Sequence, residues 1–580
     1  MNRLLVVILA VATSALIFAA ASAEENNSTK PPVRPKTIFA HYMGCCPLAT
    51  GPQAYIKGEE AKTLRHGSSD KAAQHGGHVR NWDLVPYGMK LTAEESADLE
   101  IRRAMRIGID GFAIDAWAGN QDARRSLDAL LKVAAEKNYP FEVTICIDPM
   151  CGGDIVASVK ELLEKHGKNP KLARRDGKPL IFGYQSWIPS LKYLQKVKPG
   201  LSGEETSRLR SSPEGWEIMG QAFKDAEKQI GQPIYWHYCM NSFFHGIDKK
   251  LVPPDGNLRA ASALAKHVQA VGSFAWLGKD QAAIGNAIIA AGAEWSHPVG
   301  FYQKENIPYE VYAGKGLDWM CGGWEGKRQS GTTLMQFTTW NDYGENSNIA
   351  PAYNTRYTLY DLTGYFIQWW KTGKEPAADH DRVYLISRKY PPKVKVSPFQ
   401  QGPYVEGAIE VATILTAPAK VRLPGRDAEY DAPAGFFRKQ FPVTPGLVAA
   451  ELVRDGKTVL KIESPEPVTD RPFREDNSMV CWSSEEERLW KADFGDKPMF
   501  IWSEYGDIDQ DGLPNWFEMY WFGKWGDMST AGCADPKALG AGGKTLLQHY
   551  LDQTDPAEAQ PRPVPTTDDK NKEKGKQKNQ

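Results

Sequence analysis

The stretch Gly111-Phe112-Ala113-Ile114-Asp115-Ala116 is followed by apolar residues at helical spacing over Asp122–Lys137, and then by Glu142-Val143-Thr144-Ile145-Cys146-Ile147-Asp148. Two short β-rich runs with almost no polar alternation, separated by an amphipathic helix, describe parallel strands covered on both faces. Working outward, the same unit recurs. Further runs lie at Thr37–Met43, Leu180–Tyr184, Ile234–Cys239, Ser273–Leu277, Pro298–Tyr302 and Met335–Trp340. Helical spacing is found at Ala93–Arg106, Asp154–Lys165, Glu217–Gln229, Ala260–Ala270, Gln281–Ala291 and Leu359–Trp370, while the connection after Tyr302 reads as long and irregular. Eight such runs predict an α/β fold of the (β/α)₈ TIM-barrel type over residues 36–376, with an open doubly wound sheet as the competing architecture. From residue 377 to 499 the pattern changes to short period-two stretches with Pro and Gly turns, which predicts a β-sandwich.

The 580 residues carry 70 Lys+Arg against 71 Asp+Glu, a formal charge of −1 that excludes nucleic-acid binding by bulk charge. Residues 1–23 have the form of a cleavable signal peptide: a short polar start, an apolar run from Leu4 to Ala20, then Ala21-Ser22-Ala23. A secreted or periplasmic protein is expected, with no membrane insertion. The eight cysteines include no C-x-x-C pair, so neither a zinc ribbon nor a thioredoxin-like site is indicated. Cys146 and Cys239 read as buried apolar residues; a Cys146–Cys151 bridge, or distant partners for Cys45 and Cys46, stay open.

In a barrel of this type the reactive groups come from the C-terminal ends of the strands. Here those ends deliver His41, Asp115, Asp148, Tyr184, His237, Trp276, and the run Trp340-Asn341-Asp342-Tyr343-Gly344-Glu345. Paired carboxylates beside aromatic platforms are the equipment of glycoside hydrolysis, one protonating the leaving oxygen and the other activating water or attacking the sugar. Asp342 and Glu345 form the candidate catalytic pair, with Glu345 as acid because its longer side chain reaches further. The alternative is an ordinary turn with a solvated glutamate. Asp115 and Asp148 either contact substrate or cap helices and pair with Arg, and His41 and His237 either bind sugar hydroxyls or are packed. Tyr184, Trp276, Trp340 and Asn341 complete the candidate sugar subsites. His41-Tyr42-Met43 is not the His-x-His of a metal-dependent barrel hydrolase, so no catalytic cofactor is expected.

With these motifs the chain resembles glycoside hydrolase family 71, the α-1,3-glucanases or mutanases. The similar elements are Ile38-Phe39-Ala40-His41-Tyr42-Met43, Gly108-Ile109-Asp110-Gly111-Phe112-Ala113 and Thr339-Trp340-Asn341-Asp342-Tyr343-Gly344-Glu345. The resemblance implies a (β/α)₈ barrel and inverting hydrolysis of an α-glucan polysaccharide by an Asp and a Glu, carried here by Asp342 and Glu345. The chain departs from the family pattern in the Cys45–Pro86 insertion, in Asn346 where Ser is expected, and in its C-terminal module. Family 99, acting on α-mannosides, is the competing resemblance for specificity, and a non-catalytic carbohydrate-binding surface protein is the alternative from another class.

Residues 500–556 hold a second motif. Asp507, Asp509 and Asp511 alternate before Gly512, Leu513 offers a carbonyl, and Glu518 stands at the twelfth position, which matches a complete EF-hand-like Ca²⁺ loop. One ion is expected, because the related stretch Asp535–Asp555 lacks acidic ligands. The module resembles dockerin-like or thrombospondin-type calcium repeats and implies a structural Ca²⁺ and a cell-surface or scaffold partner. Residues 557–580, rich in Pro, Lys, Asp and Gln, are expected to be disordered.

Overall fold

Strands that bury both faces can pair only with one another, and here they pair into a ring. In the computed structural model the strands are β1 (Thr37–Tyr42), β2 (Gly111–Ala116), β3 (Glu142–Ile147), β4 (Lys178–Gly183), β5 (Tyr235–Met240), β6 (Ala270–Ser273), β7 (Glu294–Ser296) and β8 (Leu334–Phe337). They run parallel in chain order, and β8 returns to β1 with Thr37 opposite Leu334. The ring closes between β7 and β8 through a parallel bridge from Val299 to Phe337 and a 2.9 Å hydrogen bond from the Gln336 amide to Ser296 Oγ. The helices are α1 (Ala93–Arg106), α2 (Gln121–Glu136), α3 (Ile155–His166), α4 (Trp187–Val197), α5 (Gly203–Arg210), α6 (Pro213–Ile230), α7 (Gly256–Leu264), α8 (Gln281–Ala290), α9 (Asp318–Gln329) and α10 (Thr358–Thr372). Helix α1 begins with a capping box, Thr92 Oγ1 accepting from the Glu95 amide at 3.2 Å while Glu95 accepts from the Thr92 amide at 2.8 Å.

The structure describes most of residues 34–556. Residues 1–33, 45–82, 117–120, 150–153, 241–254, 275–280, 300–303, 313–315, 344–346, 395–406, 472–478, 524–527 and 557–580, with several shorter stretches, lie outside the described set. The signal sequence, most of the Cys45–Pro86 insertion and the C-terminal tail therefore fall outside it. Residues 37–580 form one unit, and of residues 1–36 only Arg34–Lys36 are described, without regular structure. No helix among the described residues is long and apolar enough to cross a membrane.

Three elements differ from the sequence expectation. Strand β6 lies at Ala270–Ser273, earlier than the aromatic run Ser273–Leu277. Gly272 is at home inside this strand because a Cβ there would stand 2.6 Å from Cε1 of His237. Strand β7 likewise precedes Pro298, at Glu294–Ser296. The connection after Tyr302 is not irregular throughout: it contains a hairpin, Lys304–Ile307 with Glu310–Tyr312, and the helix α9. Gly322, Gly323 and Gly326 within α9 mask its helical signal.

Alternation along each strand divides the side chains into two sets. Ile38, Ala40, Tyr42, Phe112, Ile114, Val143 and Ile145 face the helices as part of the main core. Phe39, Ala113, Cys146, Leu180, Phe182, Tyr235, Ala270 and Leu334 fill the inside of the barrel. Its N-terminal end is plugged by Arg175, whose guanidinium makes two 2.7 Å bonds to Glu294 and one of 2.9 Å to Thr37, with Tyr235 and Thr333 also on Glu294. Burial would raise the Glu294 carboxyl, but Arg175 and the Tyr235 hydroxyl hold it down at about 2. The N-terminal end of the barrel is thereby filled.

Two antiparallel sheets follow the barrel. Their strands are β9 (Arg382–Arg388), β10 (Ile409–Leu415), β11 (Ala419–Leu423), β12 (Ala428–Ala432), β13 (Gly435–Phe441), β14 (Ala449–Arg454), β15 (Lys457–Glu463) and β16 (Met479–Ser483). One sheet has the order β13-β10-β9-β16 and the other β12-β11-β14-β15. Val383, Leu385, Val411, Val421 and Leu452 pack in one core cluster. The opposite face of the first sheet, with Tyr384, Ile386, Ala412 and Ile414, joins the barrel core, and Phe436 packs on Phe366 of α10 at 5.1 Å. The sandwich is thus welded to the barrel. Helix α11 (Glu486–Phe494) extends this contact, and the last segment contains helices α12 (Asn515–Trp521) and α13 (Leu546–Asp552).

Candidate active site

The inward parity set by Phe39, Ala113, Cys146, Phe182 and Tyr235 continues two residues further to His41, Asp115, Asp148, Tyr184 and His237. Five of the residues singled out in the sequence thus converge above the packed barrel interior. Their rings interlock: Phe274 contacts His41 edge-on at 4.6 Å and Tyr184 at 4.7 Å, and His237 lies over Phe182 at 4.4 Å. Asp115 and Asp148 are 3% and 4% exposed, so both carboxyls belong to the enclosed end of the barrel and not to its outer surface. Burial lowers both His41 and His237 to about 3, so both imidazoles are neutral at ordinary pH. Burial, reinforced by the charge of Asp115, pushes the Cys146 thiol well above its usual value, which leaves it an inert filler.

The chain leaving β8 is held from several sides. The Trp340 amide donates to the His41 carbonyl at 2.7 Å, and the Trp340 carbonyl accepts from Ile349 at 3.2 Å and Ala350 at 2.9 Å. Asn341 clasps the end of β1, its Oδ1 accepting from the Met43 amide at 2.7 Å and its Nδ2 donating to the Met43 carbonyl at 3.2 Å. The Asp342 amide donates to Thr339 Oγ1 at 3.1 Å, and its carbonyl accepts from Ser347 at 3.2 Å. A short closed loop therefore presents Asp342, 9% exposed, at the exit of the eighth strand. Glu345 and Trp276 lie outside the described residues.

One of the expected sugar contacts is corrected, and a second has a structural task as well. Trp340 is fully buried on the helix side of the barrel, 5.1 Å from Phe112, with its indole N–H donated to Glu100 of α1. It leaves no face for a sugar ring. Asn341 uses both side-chain atoms on Met43 and so shapes the loop. The open Cys146–Cys151 alternative is also corrected, because Cys146 is a free thiol, as are Cys239, Cys321, Cys481 and Cys533. Sequence reasoning missed Phe274 and Gln336. Phe274 was hidden by the shifted position of β6. Gln336, whose Nε2 stands 3.5 Å from His41 Nδ1, carries a signal only once its inward parity with Leu334 is known.

Two carboxyls are buried here, Glu100 under the Trp340 indole and Glu486 under the Tyr357 amide at 3.3 Å. Burial pushes Glu100 up to about 7 against the pull of Arg103 and Trp340, and pushes Glu486 of α11 up to about 8 against Ser483, Arg356 and the Tyr357 amide. Both start from 4.5, so the folded chain keeps these two protons over a range where the unfolded chain has lost them. Their contribution is complete below about pH 4.5 and is lost as pH rises through 7 and 8. Urea midpoints measured at pH 5 and pH 8.5 are expected to fall toward the alkaline side, and the fall is expected to shrink in E486Q. An unchanged slope in E486Q would contradict the assignment.

In the C-terminal segment Asp507, Asp509 and Asp511 each bring one oxygen to within 4.8 Å of the others. Gly512, at φ 98°, makes the turn, and its amide donates to Asp507 at 2.8 Å. Partial desolvation and the neighbouring carboxylates raise Asp509, the response expected of acids gathered where a cation would be favoured. Leu513 is buried against Trp516, Phe517 and Leu546. Glu518 is fully buried, and its carboxylate accepts the amides of Gly532 at 2.5 Å and Ala534 at 2.9 Å; burial raises it, and the charges of Asp509 and Asp511 add to the rise.

A family model described as glycosyl hydrolase family 71 matches residues 279–487, a stretch that runs from α8 through β8 and the Asp342 loop to the start of α11. The match supports the family that the sequence resembles and, with it, a glycosidase as the class of protein. Among solved structures the chain is similar to a GH99 endo-alpha-mannosidase from Bacteroides thetaiotaomicron in complex with bis-tris-propane, at 15% identity and a TM-score of 0.39 over 58% of this chain and 97% of that one. A second structure of that enzyme gives 12% and 0.38 over 58% and 97%. A beta-glucuronidase from Bacteroides uniformis gives 12% and 0.34 over 66% and 45%. No curated protein matches the chain.

Proposed function

We propose that the chain is a secreted inverting glycoside hydrolase of α-glucan, α-1,3-linked, in which Asp342 and Glu345 divide the acid and base work. The observation that carries the reading is the loop at the exit of β8, which holds Asp342 at the C-terminal end of a barrel plugged at its other end, inside the stretch matched by the glycosidase family model. Glu345 protonates the glycosidic oxygen as it leaves, and Asp342 takes a proton from the water that attacks the anomeric carbon from the opposite face. Asp115 and Asp148 bind sugar hydroxyls, and neutral His41 and His237 donate or accept hydrogen bonds without changing charge during turnover. Incubation with α-1,3-glucan, α-1,4-glucan and α-mannan tests the reading. New reducing ends are expected from α-1,3-glucan. Release from α-mannan alone would reassign the linkage, and binding without release would favour a carbohydrate-binding surface protein.

The C-terminal segment is proposed to hold one structural Ca²⁺ on Asp507, Asp509 and Asp511, completed by the Leu513 carbonyl, and to serve attachment to a cell-surface or scaffold partner. Alternating acids before a left-handed glycine support this reading. Glu518 would have to exchange its amide bonds to join the ion. Calcium is expected to raise the melting temperature and EGTA to reverse the rise, with D509N removing the response; a melting temperature indifferent to calcium would contradict the proposal.

A further inference from the structure

A buried carboxyl is an expensive neighbour for a tryptophan, and Glu100 is 2% exposed. It is not the main partner of the nearby guanidinium: Arg103 Nε bonds Asp493 of α11 at 2.6 Å and Nη2 bonds the Leu84 carbonyl at 2.7 Å. Glu100 accepts a hydrogen bond from the Trp340 indole. The charged and titratable groups around it come from every packed element: Arg103 on its own helix, Asp83 from the segment before α1, Asp493 from α11, and Tyr343, whose phenol is raised by burial and by the charges of Glu100 and Asp83. Tyr343 and Tyr42 are both buried and share this cluster.

Asp342 thus sits between two anchors, Trp340 and Tyr343, that both enter one buried cluster around Glu100, while Asn341 between them is tied to Met43. We propose that Glu100 is a positioning residue for Asp342, acting through the indole of Trp340. The proposal rests on the catalytic reading of Asp342 given above. A purely structural role at this place would be met by any well-packed apolar pair. An acceptor aimed at one indole N–H instead fixes the rotation of Trp340, and with it the direction in which the next turn of chain leaves β8. A misplacement of about 1 Å at a reacting group costs on the order of 100-fold in rate.

The test compares E100A, E100Q, W340F and D342N on the glycan that the wild type cleaves, with melting temperatures to show that each is folded. E100A and W340F are expected to lower kcat by roughly 10- to 100-fold with KM within about twofold, since the misplaced group acts in the transition state. E100Q, which keeps an oxygen for the indole and does not titrate, is expected to return kcat to within about threefold of wild type. Wild-type kcat in both E100A and W340F, or an E100Q as slow as E100A, would overturn the proposal. If D342N loses turnover while E100A and W340F keep theirs, only the role of Glu100 falls. If D342N turns over normally, or the wild type cleaves no glycan of the panel, the catalytic reading falls first and the positioning role with it.

Discussion

Replacement of Asp342 by Asn is expected to cut turnover by about 10²–10⁴-fold, the span that general acid–base groups contribute, with the fold and the glycan affinity preserved. The expectation of an intact fold is specific. Two main-chain contacts hold residue 342, its amide on Thr339 Oγ1 at 3.1 Å and its carbonyl under the Ser347 amide at 3.2 Å, and Asn keeps both. The neighbouring anchors, Trp340 on Glu100 and Asn341 on Met43, are also untouched. A stable D342N enzyme with wild-type turnover would show that the carboxyl is only part of a turn. Loss of kcat with KM nearly constant would show that it acts in the transition state.

Replacement of Asp493 by Asn is expected to cost about 3–5 kcal/mol of stability, the penalty for leaving a buried charge without its partner. Asp493 receives Arg103 at 2.6 Å, Arg106 at 2.7 Å and the Tyr357 hydroxyl at 2.8 Å, and both Asp493 and Arg103 have fully buried side chains. Burial alone would raise the carboxyl; the two guanidinium groups hold it below its ordinary value. Arg103 cannot shed its proton to relieve the loss, and Glu100, already committed to Trp340, becomes its nearest alternative. A drop of that size in a urea titration would also mean that α11, from beyond the sandwich, is part of the barrel's own core. A change below about 1 kcal/mol would place the pair among those whose desolvation offsets its attraction.

The contrast between Asp115 and Trp340 shows what could be read from the chain alone. Asp115 ends an apolar strand whose bounds are those expected, Gly111–Ala116, so simple alternation carries it inward beside Ala113. Trp340 follows a strand that stops at Phe337, and past that point parity no longer holds: the ring joins Met335 and Phe337 on the helix side. Strand β6 was misplaced for a related reason. Gly272 looks like a breaker in sequence, yet it is the residue whose missing Cβ makes room for the His237 ring from the adjacent strand β5, a demand that only the pairing of the two strands creates. The sandwich strands β9 and β11 were legible from their period and turns. The burial of β10 on both faces was not, because it depends on the packing of that sheet against α10.

The measurement that bears most directly on the whole account is proton NMR of the first sugar released from an α-1,3-glucan oligosaccharide, recorded before the anomers equilibrate. A β-anomer appearing first is the predicted result, since water activated by one carboxylate attacks opposite the bond that the other protonates. An α-anomer appearing first, or no release at all from a folded enzyme, would contradict it.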